Sequence, residues 1–294
     1  MLQPSRRRFL QEAGVVSAAA PLAVPAHART LGADERLTVG VIGCGGRGSG
    51  LLKTFRQIAD VAYVCDPDEA RREKAKERSG AKRAVSDPRH VLDDSSVDAV
   101  VIATPDHWHA PAAIMACEAG KHVYVEKPCS HNCRESRLLL DAARRNNVVV
   151  QHGTQSRSNE LIANAVQMLR EGLIGDVLVA KAWNVQPRRN IGQMTPSDPP
   201  PGVDYDAWVG PAAFLPYQEN RFHYNWHWWY NFGTGDIGND GTHEIDYARW
   251  GLGVKGLPST VVGLGGKYFH DDDQEYADTT NCVFEWPGNG TVGN

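Results

Sequence analysis

Residues 38–50 read TVGVIGCGGRGSG, and this stretch decides the fold of the N-terminal part of the chain. It opens with a short β-branched apolar run, which is typical of a strand buried on both faces. A G-x-G-x-x-G spacing follows, in which Gly43 permits a tight turn, Gly45 a close backbone approach, and Gly48 the packing of a helix on the strand. The pattern predicts a strand–turn–helix unit whose helix N-terminus receives phosphate groups.

A carboxylate at a suitable distance strengthens this interpretation. Asp66 lies 23 residues after Gly43, at the end of a second apolar run over 61–65. An acid at that place binds the adenosine ribose hydroxyls and repels a 2′-phosphate. Glycine-rich turns are common, but the turn together with Asp66 predicts a dinucleotide site that prefers NAD to NADP. Gly46 and Arg47, inside the turn, are counted among the residues that bind the cofactor.

Strand and helix patterns then alternate as far as residue 151. Apolar strand patterns occupy 97–104, 122–125 and 148–151, and helical patterns occupy 68–78, 110–119 and 132–145. This order predicts a parallel, doubly wound α/β sheet, whose ligands lie at the carboxyl ends of the strands. The polar residues at those ends form one candidate crevice, which includes Thr104, Pro105, Glu126 and Lys127.

The N-terminus has the order of an export signal. Residues 5–10, SRRRFL, resemble a twin-arginine signal, and a weakly apolar stretch and an A-x-A cleavage pattern at 26–28 follow. The apolar stretch is too short and too rich in alanine, glycine and proline for a stable membrane span. The sequence therefore predicts a signal peptide over 1–28 and export of the folded protein, with its cofactor already bound, to the periplasm.

Composition excludes some classes of partner. With 41% hydrophobic residues and a net charge of −4, the chain can build a large core and has no basic excess suited to nucleic acid. Its length favours two domains. We expect a dinucleotide-binding domain over 29–154 and a substrate domain over 155–294.

Two further motifs carry a family resemblance. Residues 104–109 read TPDHWH, and 119–128 read AGKHVYVEKP. At this spacing they resemble the signature of the glucose-fructose oxidoreductase/inositol dehydrogenase/rhizopine catabolism (Gfo/Idh/MocA) family. The resemblance implies an NAD(P)-dependent oxidoreductase of sugars or cyclitols, with a Rossmann domain, a C-terminal α+β domain with a large open sheet, and a homo-oligomeric assembly. It places Lys127 at the family's active-site lysine, with His109 and Glu126 beside the cofactor.

The second half contains a helical motif with a histidine. Residues 235–246, GDIGNDGTHEID, resemble the family's D-x-x-x-H helix, which implies that His243 is the general base. The chain departs from the pattern at Asn239, where the family has aspartate. Asp236 lies two helical turns before His243, so either Asp236 or Asp240 is expected to orient the imidazole.

Several polar and aromatic side chains are candidates for contacts with a sugar. Residues 221–230, RFHYNWHWWY, suit carbohydrate binding, although a buried aromatic core explains them equally well. His223 and His227, with His243, form a weak metal-binding pattern that has no obvious fourth ligand, so we predict no metal. The candidate substrate-binding residues are Arg157, His223, Trp226, Asn239 and Asp240.

Two strand patterns are predicted in the sheet of the second domain. Residues 176–185 alternate like a strand of this sheet. Residues 281–286 form another strand pattern, and the chain stops soon after the following turn. Because the family's second domain normally continues further, we expect this domain to be incomplete.

The sequence favours the first of three functions. The first is an NAD-dependent dehydrogenase that oxidises a secondary hydroxyl of a sugar, glycoside or cyclitol. The second is a glycoside hydrolase or lyase that works through transient oxidation at C3 and recycles its NAD. The third is a sugar-binding or NAD-sensing protein without turnover.

Overall fold

A six-stranded parallel sheet forms the centre of the N-terminal half, in the computed structural model, which describes residues 36–287. The strand order is β3-β2-β1-β4-β5-β6, as the doubly wound prediction requires. The strands are β1 Leu37–Ile42, β2 Ala59–Cys65, β3 Arg83–Val85, β4 Ala99–Ile102, β5 His122–Val125 and β6 Val150–His152. The export signal predicted over 1–28 lies outside the described residues.

Helices cover both faces of this sheet. They are α1 Gly46–Ile58, α2 Glu69–Ser79, α3 Arg89–Leu92, α4 Asp106–Glu118 and α5 Cys133–Arg145. The central strands are apolar along their length because both faces are covered. Val41 in β1 and Val100 in β4 are fully buried, and so are the alanines on the inner side of α4. The N-terminal α/β prediction is confirmed.

Hydrogen bonds at the helix ends explain where the helices begin and end. The Asp68 side chain accepts from the backbone N–H of Arg71 at 3.2 Å and caps the start of α2, which ends at Gly80 with φ +72°. The Asn132 side chain accepts from the Glu135 N–H at 3.1 Å and caps α5 in the same way.

The second half has helices and one antiparallel sheet. It contains α6 Glu160–Arg170, α7 Tyr205–Val209, α8 Gly235–Gly238, α9 Gly241–Leu252, β7 Thr260–Gly266 and β8 Thr279–Glu285. The expected C-terminal α/β class is confirmed, and its sheet within 36–287 is the two-stranded antiparallel pair β7–β8.

The strand predicted over 176–185 does not form. The segment has no regular secondary structure, and its apolar side chains Leu178, Trp183 and Val185 are 72–85% exposed. The prediction was wrong because a strand needs a hydrogen-bonded partner, and β7 and β8 pair with each other in the part of the chain that the structure describes. No helix among the described residues is long and apolar enough to cross a membrane.

The two halves are joined by backbone and side-chain contacts at the carboxyl edge of the parallel sheet. The indole N–H of Trp108, in the first turn of α4, donates to the Trp208 carbonyl at 2.9 Å. The backbone N–H of His107 donates to the Phe232 carbonyl at 3.2 Å, and that of Asp204 donates to the Pro67 carbonyl at 3.1 Å. The second half therefore covers the edge at which ligands are expected.

We predict that Gly43→Ala destabilises the protein whereas Gly46→Ala does not. Gly43 has φ +90°, and a Cβ there would lie 2.5 Å from the Ala103 carbonyl oxygen. Such a substitution costs roughly 1–3 kcal/mol of the free energy of unfolding. Gly46 starts α1, and a Cβ there meets nothing within 4 Å.

Urea unfolding of both variants and the wild type measures the difference. Equal midpoints for Gly43→Ala and wild type would show that the turn relaxes around the added methyl group.

Candidate active site

The turn after β1 brings the backbone closer to its neighbours than a side chain permits. The Gly43 N–H donates to the Cys65 carbonyl at 2.8 Å, which ties the turn to the end of β2. A Cβ on Gly48 would lie 1.9 Å from the Gly43 carbonyl oxygen, so α1 packs directly on the turn. Gly45 caps α1 without a side chain, and the helix N-terminus is left facing the crevice. This arrangement fits the pyrophosphate of a dinucleotide.

Asp66 is placed by the same turn. Its carboxylate is 6% exposed and accepts from two backbone N–H groups, those of Cys44 at 2.8 Å and Asp68 at 2.9 Å. Burial raises the pKa of Asp66, while these two hydrogen bonds oppose the rise. Each oxygen retains a further acceptor position, which fits the ribose hydroxyls expected at the end of β2.

A cavity of about 790 Å³ runs from the glycine turn to the second half of the chain. It brings together most of the predicted cofactor-binding residues. Those that line it are Gly43, Gly45, Gly46, Arg47, Asp66, Thr104, Pro105, His109, Glu126 and Lys127. Gly48 lies behind the wall, where it serves the packing of α1.

Lys127 lies in this cavity and is held from the second half. Its ammonium donates to the backbone carbonyl of Asn239 at 2.9 Å and to the amide oxygen of the same residue at 2.8 Å. Glu126, expected beside it, instead accepts from the Arg47 side chain at 2.6 Å and from the Lys127 backbone N–H at 3.2 Å. Asn239, at the position that departs from the family pattern, therefore positions the lysine.

Three polar side chains at the start of α4 are almost completely buried: Asp106, His107 and His109. Thr234 donates to the Asp106 carboxylate at 2.6 Å, and burial raises the pKa of Asp106 to about 7. His109 Nδ1 donates to the Pro128 carbonyl at 2.5 Å, and burial lowers the pKa of His109 to about 4. The sequence places Asp106 at a strand end in the candidate crevice, whereas its burial and its contact with Thr234 come only from the tertiary structure.

The aromatic segment 221–230 contributes both to a buried aromatic core and to the cavity wall. Trp228 and Trp229 are buried in a cluster with Trp208 and Phe232, which is the core interpretation. Trp226, by contrast, lines the cavity, and so does His227. The His227 ring stacks on the Trp226 ring, with 3.6 Å between the ring centroids. One segment thus supplies a core and part of the cavity wall.

His227 is a neutral imidazole, and its hydrogen bond shows which ring nitrogen carries the proton. Nδ1 lies 2.6 Å from the Tyr224 carbonyl and must donate to it, which leaves Nε2 as an acceptor. Burial lowers the pKa of His227 to about 4, so the ring is uncharged at neutral pH. His223 also lines the cavity, and its Nε2 lies 3.4 Å from an Asp68 oxygen. In the described part of the chain, no group of three or more His, Cys, Asp or Glu is arranged to hold a metal ion.

The two carboxylates expected to orient His243 are bound elsewhere. The Arg188 guanidinium makes a two-pronged contact with Asp236, its Nη2 lying 2.7 Å from Oδ1, and it also contacts Asp240. His243 donates its backbone N–H to the Asp240 carbonyl at 2.8 Å, while its ring Nδ1 is buried with no partner among the described residues. The expectation that Asp236 or Asp240 orients the ring is therefore corrected. Arg188 lies in a segment without a motif, so no sequence signal could have revealed it.

Besides Gly48, four predicted residues lie off the cavity wall. They are Arg157, Asp236, Asp240 and His243. Arg157 makes a two-pronged ion pair with Asp246 of α9, with both distances 2.8 Å, and its guanidinium lies over the Trp250 ring. This pairing joins α9 to the end of the parallel sheet, so Arg157 stabilises the arrangement of the two halves.

We predict that Asp106 makes stability fall as the pH rises. Its folded-state pKa of about 7 lies above the ordinary value of 3.8, so the folded protein holds an extra proton between these values. Its contribution to the free energy of unfolding is therefore lost as the pH rises through this window. Relative to Asp106→Asn, the wild type should lose on the order of a few kcal/mol between pH 4.5 and pH 8, since one pKa unit is worth about 1.4 kcal/mol.

Urea unfolding at both pH values measures this difference. Thr234→Val is the second variant, because loss of a donor to the ionised carboxylate should steepen the dependence. Parallel pH profiles for wild type and Asp106→Asn would refute the buried, protonated acid.

Sequence models of one family match most of the described chain. Residues 37–154 match its model for an oxidoreductase-family NAD-binding Rossmann fold, and residues 181–276 match its model for the C-terminal α/β domain. The chain's NAD-binding domain is thereby confirmed.

Individual proteins agree with this assignment. The chain is 31% identical over 189 residues to a levoglucosan dehydrogenase of Pseudarthrobacter phenanthrenivorans, covering 64% of this chain and 42% of that protein. It is 33% identical over 208 residues to glycosyl hydrolase family 109 protein 2 of Shewanella sp. ANA-3, covering 60% and 45%. The crystal structure of GenD2 from gentamicin A biosynthesis in complex with NAD superposes with a TM-score of 0.62 at 26% identity, covering 86% of this chain and 63% of that chain.

The chain spans about half the length of these two curated relatives. The glycine turn, the acid at the end of β2, the lysine at the end of β5 and both domain matches lead to one conclusion: this chain belongs to the Gfo/Idh/MocA family of oxidoreductases.

Proposed function

We propose that the protein oxidises a secondary hydroxyl of a sugar, glycoside or cyclitol with NAD as hydride acceptor. The observation that carries the proposal is the position of Lys127. Its ammonium lies in the same cavity as the glycine turn and Asp66, and Asn239 holds it there through two hydrogen bonds. A fixed cation beside the cofactor crevice suits the polarisation of a hydroxyl oxygen that is losing its proton.

The residues that would hold NAD follow the carboxyl ends of β1, β2, β4 and β5. The N-terminus of α1 would receive the pyrophosphate and Asp66 would accept from the adenosine ribose, while Thr104 and Glu126 line the crevice further along. When bound, NAD⁺ supplies the hydride acceptor. The protein supplies position, exclusion of water and transfer of the hydroxyl proton.

Proton transfer is assigned to Lys127 and His243. Lys127 polarises the hydroxyl oxygen, and His243 takes the proton, as its match to the family's histidine implies. The ring Nδ1 of His243 is buried without a partner among the described residues, and His243 lies four residues after Asn239, which holds Lys127. Trp226 offers an aromatic face and His227 Nε2 an acceptor to the remaining hydroxyls of the sugar. Asp240, bound to Arg188, supports this wall.

The remaining proposals concern the setting of the enzyme. The twin-arginine pattern at 5–10 supports export of the folded protein, with NAD bound, to the periplasm. The resemblance to the family supports a homo-oligomer. A small carbohydrate or cyclitol is the proposed partner, and the net charge of −4 does not favour nucleic acid.

A glycoside hydrolase that recycles its NAD is the second candidate. The similarity to a glycosyl hydrolase family 109 protein favours it. A single assay distinguishes the two candidate functions. Purified protein with bound cofactor receives levoglucosan, myo-inositol or a nitrophenyl glycoside, and NADH absorbance and nitrophenol release are followed together.

Accumulating NADH with an oxidised sugar supports the dehydrogenase. Nitrophenol release without net NADH identifies the hydrolase, and sugar binding without either signal identifies a protein that does not turn over.

We predict that Lys127→Met and His243→Asn each lower kcat by roughly 10²–10⁴-fold, since each removes a proton-transfer group. The dissociation constant of NAD should change much less, because neither residue binds the adenosine half. His227→Asn is the matched control, because it should raise KM for the sugar and retain most of kcat. If His227→Asn abolishes hydride transfer while His243→Asn does not, the proton acceptor is His227.

We predict that Asp66→Asn raises the affinity for NADP relative to NAD by roughly tenfold or more, about 1.4 kcal/mol. The amide oxygen can keep one of the two backbone hydrogen bonds, while the charge that repels a 2′-phosphate is lost. Fluorescence titration with NADH and NADPH measures the ratio. An unchanged ratio would mean that Asp66 serves the turn alone.

A further inference from the structure

Four histidine ring nitrogens are buried without a hydrogen-bond partner among the described residues, one each in His109, His152, His223 and His243. Two of them lie where α9 meets the end of the parallel sheet: Nε2 of His152, at the end of β6, and Nδ1 of His243, in the first turn of α9. Solvent does not reach either atom. Buried polar atoms in folded proteins almost always have a partner, so a pair of unpaired ring nitrogens needs an explanation.

The groups that would ordinarily orient His243 are all engaged. Arg188 binds the carboxylates of Asp236 and Asp240, and the amide oxygen of Asn239 accepts from Lys127. None of the three candidates that precede His243 in the helical motif makes a hydrogen bond to its ring Nδ1.

His152 is the last residue of β6, at the edge of the parallel sheet where the ligands are expected. It follows β5 in the sheet, with Val125 as its partner residue, so it lies beside the strand end that carries Glu126 and Lys127. Arg157, five residues later, binds Asp246, and Asp246 lies three residues after His243 on the same face of α9. This ion pair holds the His243 face of α9 against the end of β6.

Three titratable groups interact with His152. Burial lowers the pKa of His152, and His243 acts in the same direction, while the charges of Glu126 and Asp246 oppose it. Burial therefore favours a neutral His152, which can keep a lone pair on Nε2 and its proton on Nδ1.

We propose that His152 is the positioning residue for His243, and that its Nε2 accepts the Nδ1–H of His243 when NAD is bound. It takes the part that an aspartate plays in the family's motif, which this chain lacks at Asn239. Because the χ2 torsion of histidine is broad, the two rings can turn towards each other without leaving their rotamer wells.

The contact fixes the tautomer of the proposed base. With the proton of His243 held on Nδ1, the lone pair is on Nε2, where it accepts the proton of the substrate hydroxyl. The imidazolium that results keeps its hydrogen bond to His152, which stabilises the charge. The role of His243 as the base rests on the proposed function, whereas the expected tautomer of His243, with its proton on Nδ1, does not depend on that function.

The test is ¹⁵N NMR of histidine-labelled protein loaded with NAD, with His243 assigned by its loss in His243→Asn. In the wild type, we expect His243 to carry its proton on Nδ1. His152→Leu should give a mixture of the two tautomers, and kcat for sugar oxidation should fall roughly 10–100-fold with KM and the NAD dissociation constant nearly unchanged. His152→Gln offers an acceptor oxygen near the former Nε2. This variant should restore much of the Nδ1–H tautomer of His243 and much of kcat. Gln151→Leu, the exposed neighbour on β6, is the control and should match the wild type.

The outcomes separate this inference from the proposed function. A wild-type His243 protonated on Nε2, or the same tautomer in His152→Leu as in wild type, overturns the role of His152 whatever the enzyme does. The wild-type spectrum decides the point even if His152→Leu fails to fold. If the tautomer depends on His152 but no sugar is oxidised, the pair stands and the proposed function fails.

Discussion

The close contact between Gly43 and Gly48 is the constraint on which the rest of the site depends. A single methyl group at Gly48 would overlap the Gly43 carbonyl, since it would lie 1.9 Å from that oxygen. Without this contact α1 could not start directly at the turn, and its N-terminus would not face the crevice. The same turn provides the Cys44 N–H that holds Asp66, so phosphate and ribose positions are set together. A fixed backbone places these groups more reliably than mobile side chains, because it loses little entropy when a ligand binds.

The second half of the chain completes the site by holding groups of the first half. Asn239 positions Lys127, Thr234 donates to Asp106, and the carbonyls of Trp208 and Phe232 receive donors from α4. These contacts involve neutral acceptors and one hydroxyl. The lysine therefore keeps a charge that no carboxylate neutralises through the hydrogen bonds seen here, which suits the stabilisation of a developing alkoxide.

Arg188 shows how a residue outside any motif can change the role of others. Its guanidinium binds two carboxylates at once and lies over the Trp228 ring. The planar donor group of arginine matches such paired acceptors, and lysine would not replace it. By taking Asp236 and Asp240, Arg188 leaves His243 without the carboxylate expected from the sequence. The helical motif is present, but its two carboxylates pair with Arg188 and not with His243.

The sequence by itself determined the parallel sheet, the glycine turn, Asp66 and the lysine at the end of β5. These follow from local rules, because strand periodicity, positive φ at Gly43 and the position of strand ends depend on neighbours in the chain. Only the tertiary structure decided that Arg157 pairs with Asp246, that Asn239 holds Lys127, that Trp226 faces the cavity while Trp229 is buried, and that 176–185 forms no strand. The two pairings join residues that are far apart in the chain, with separations of 89 residues for Arg157 and Asp246 and 112 residues for Lys127 and Asn239. Periodicity carries no information on such partners, because burial and pairing are properties of the folded surface.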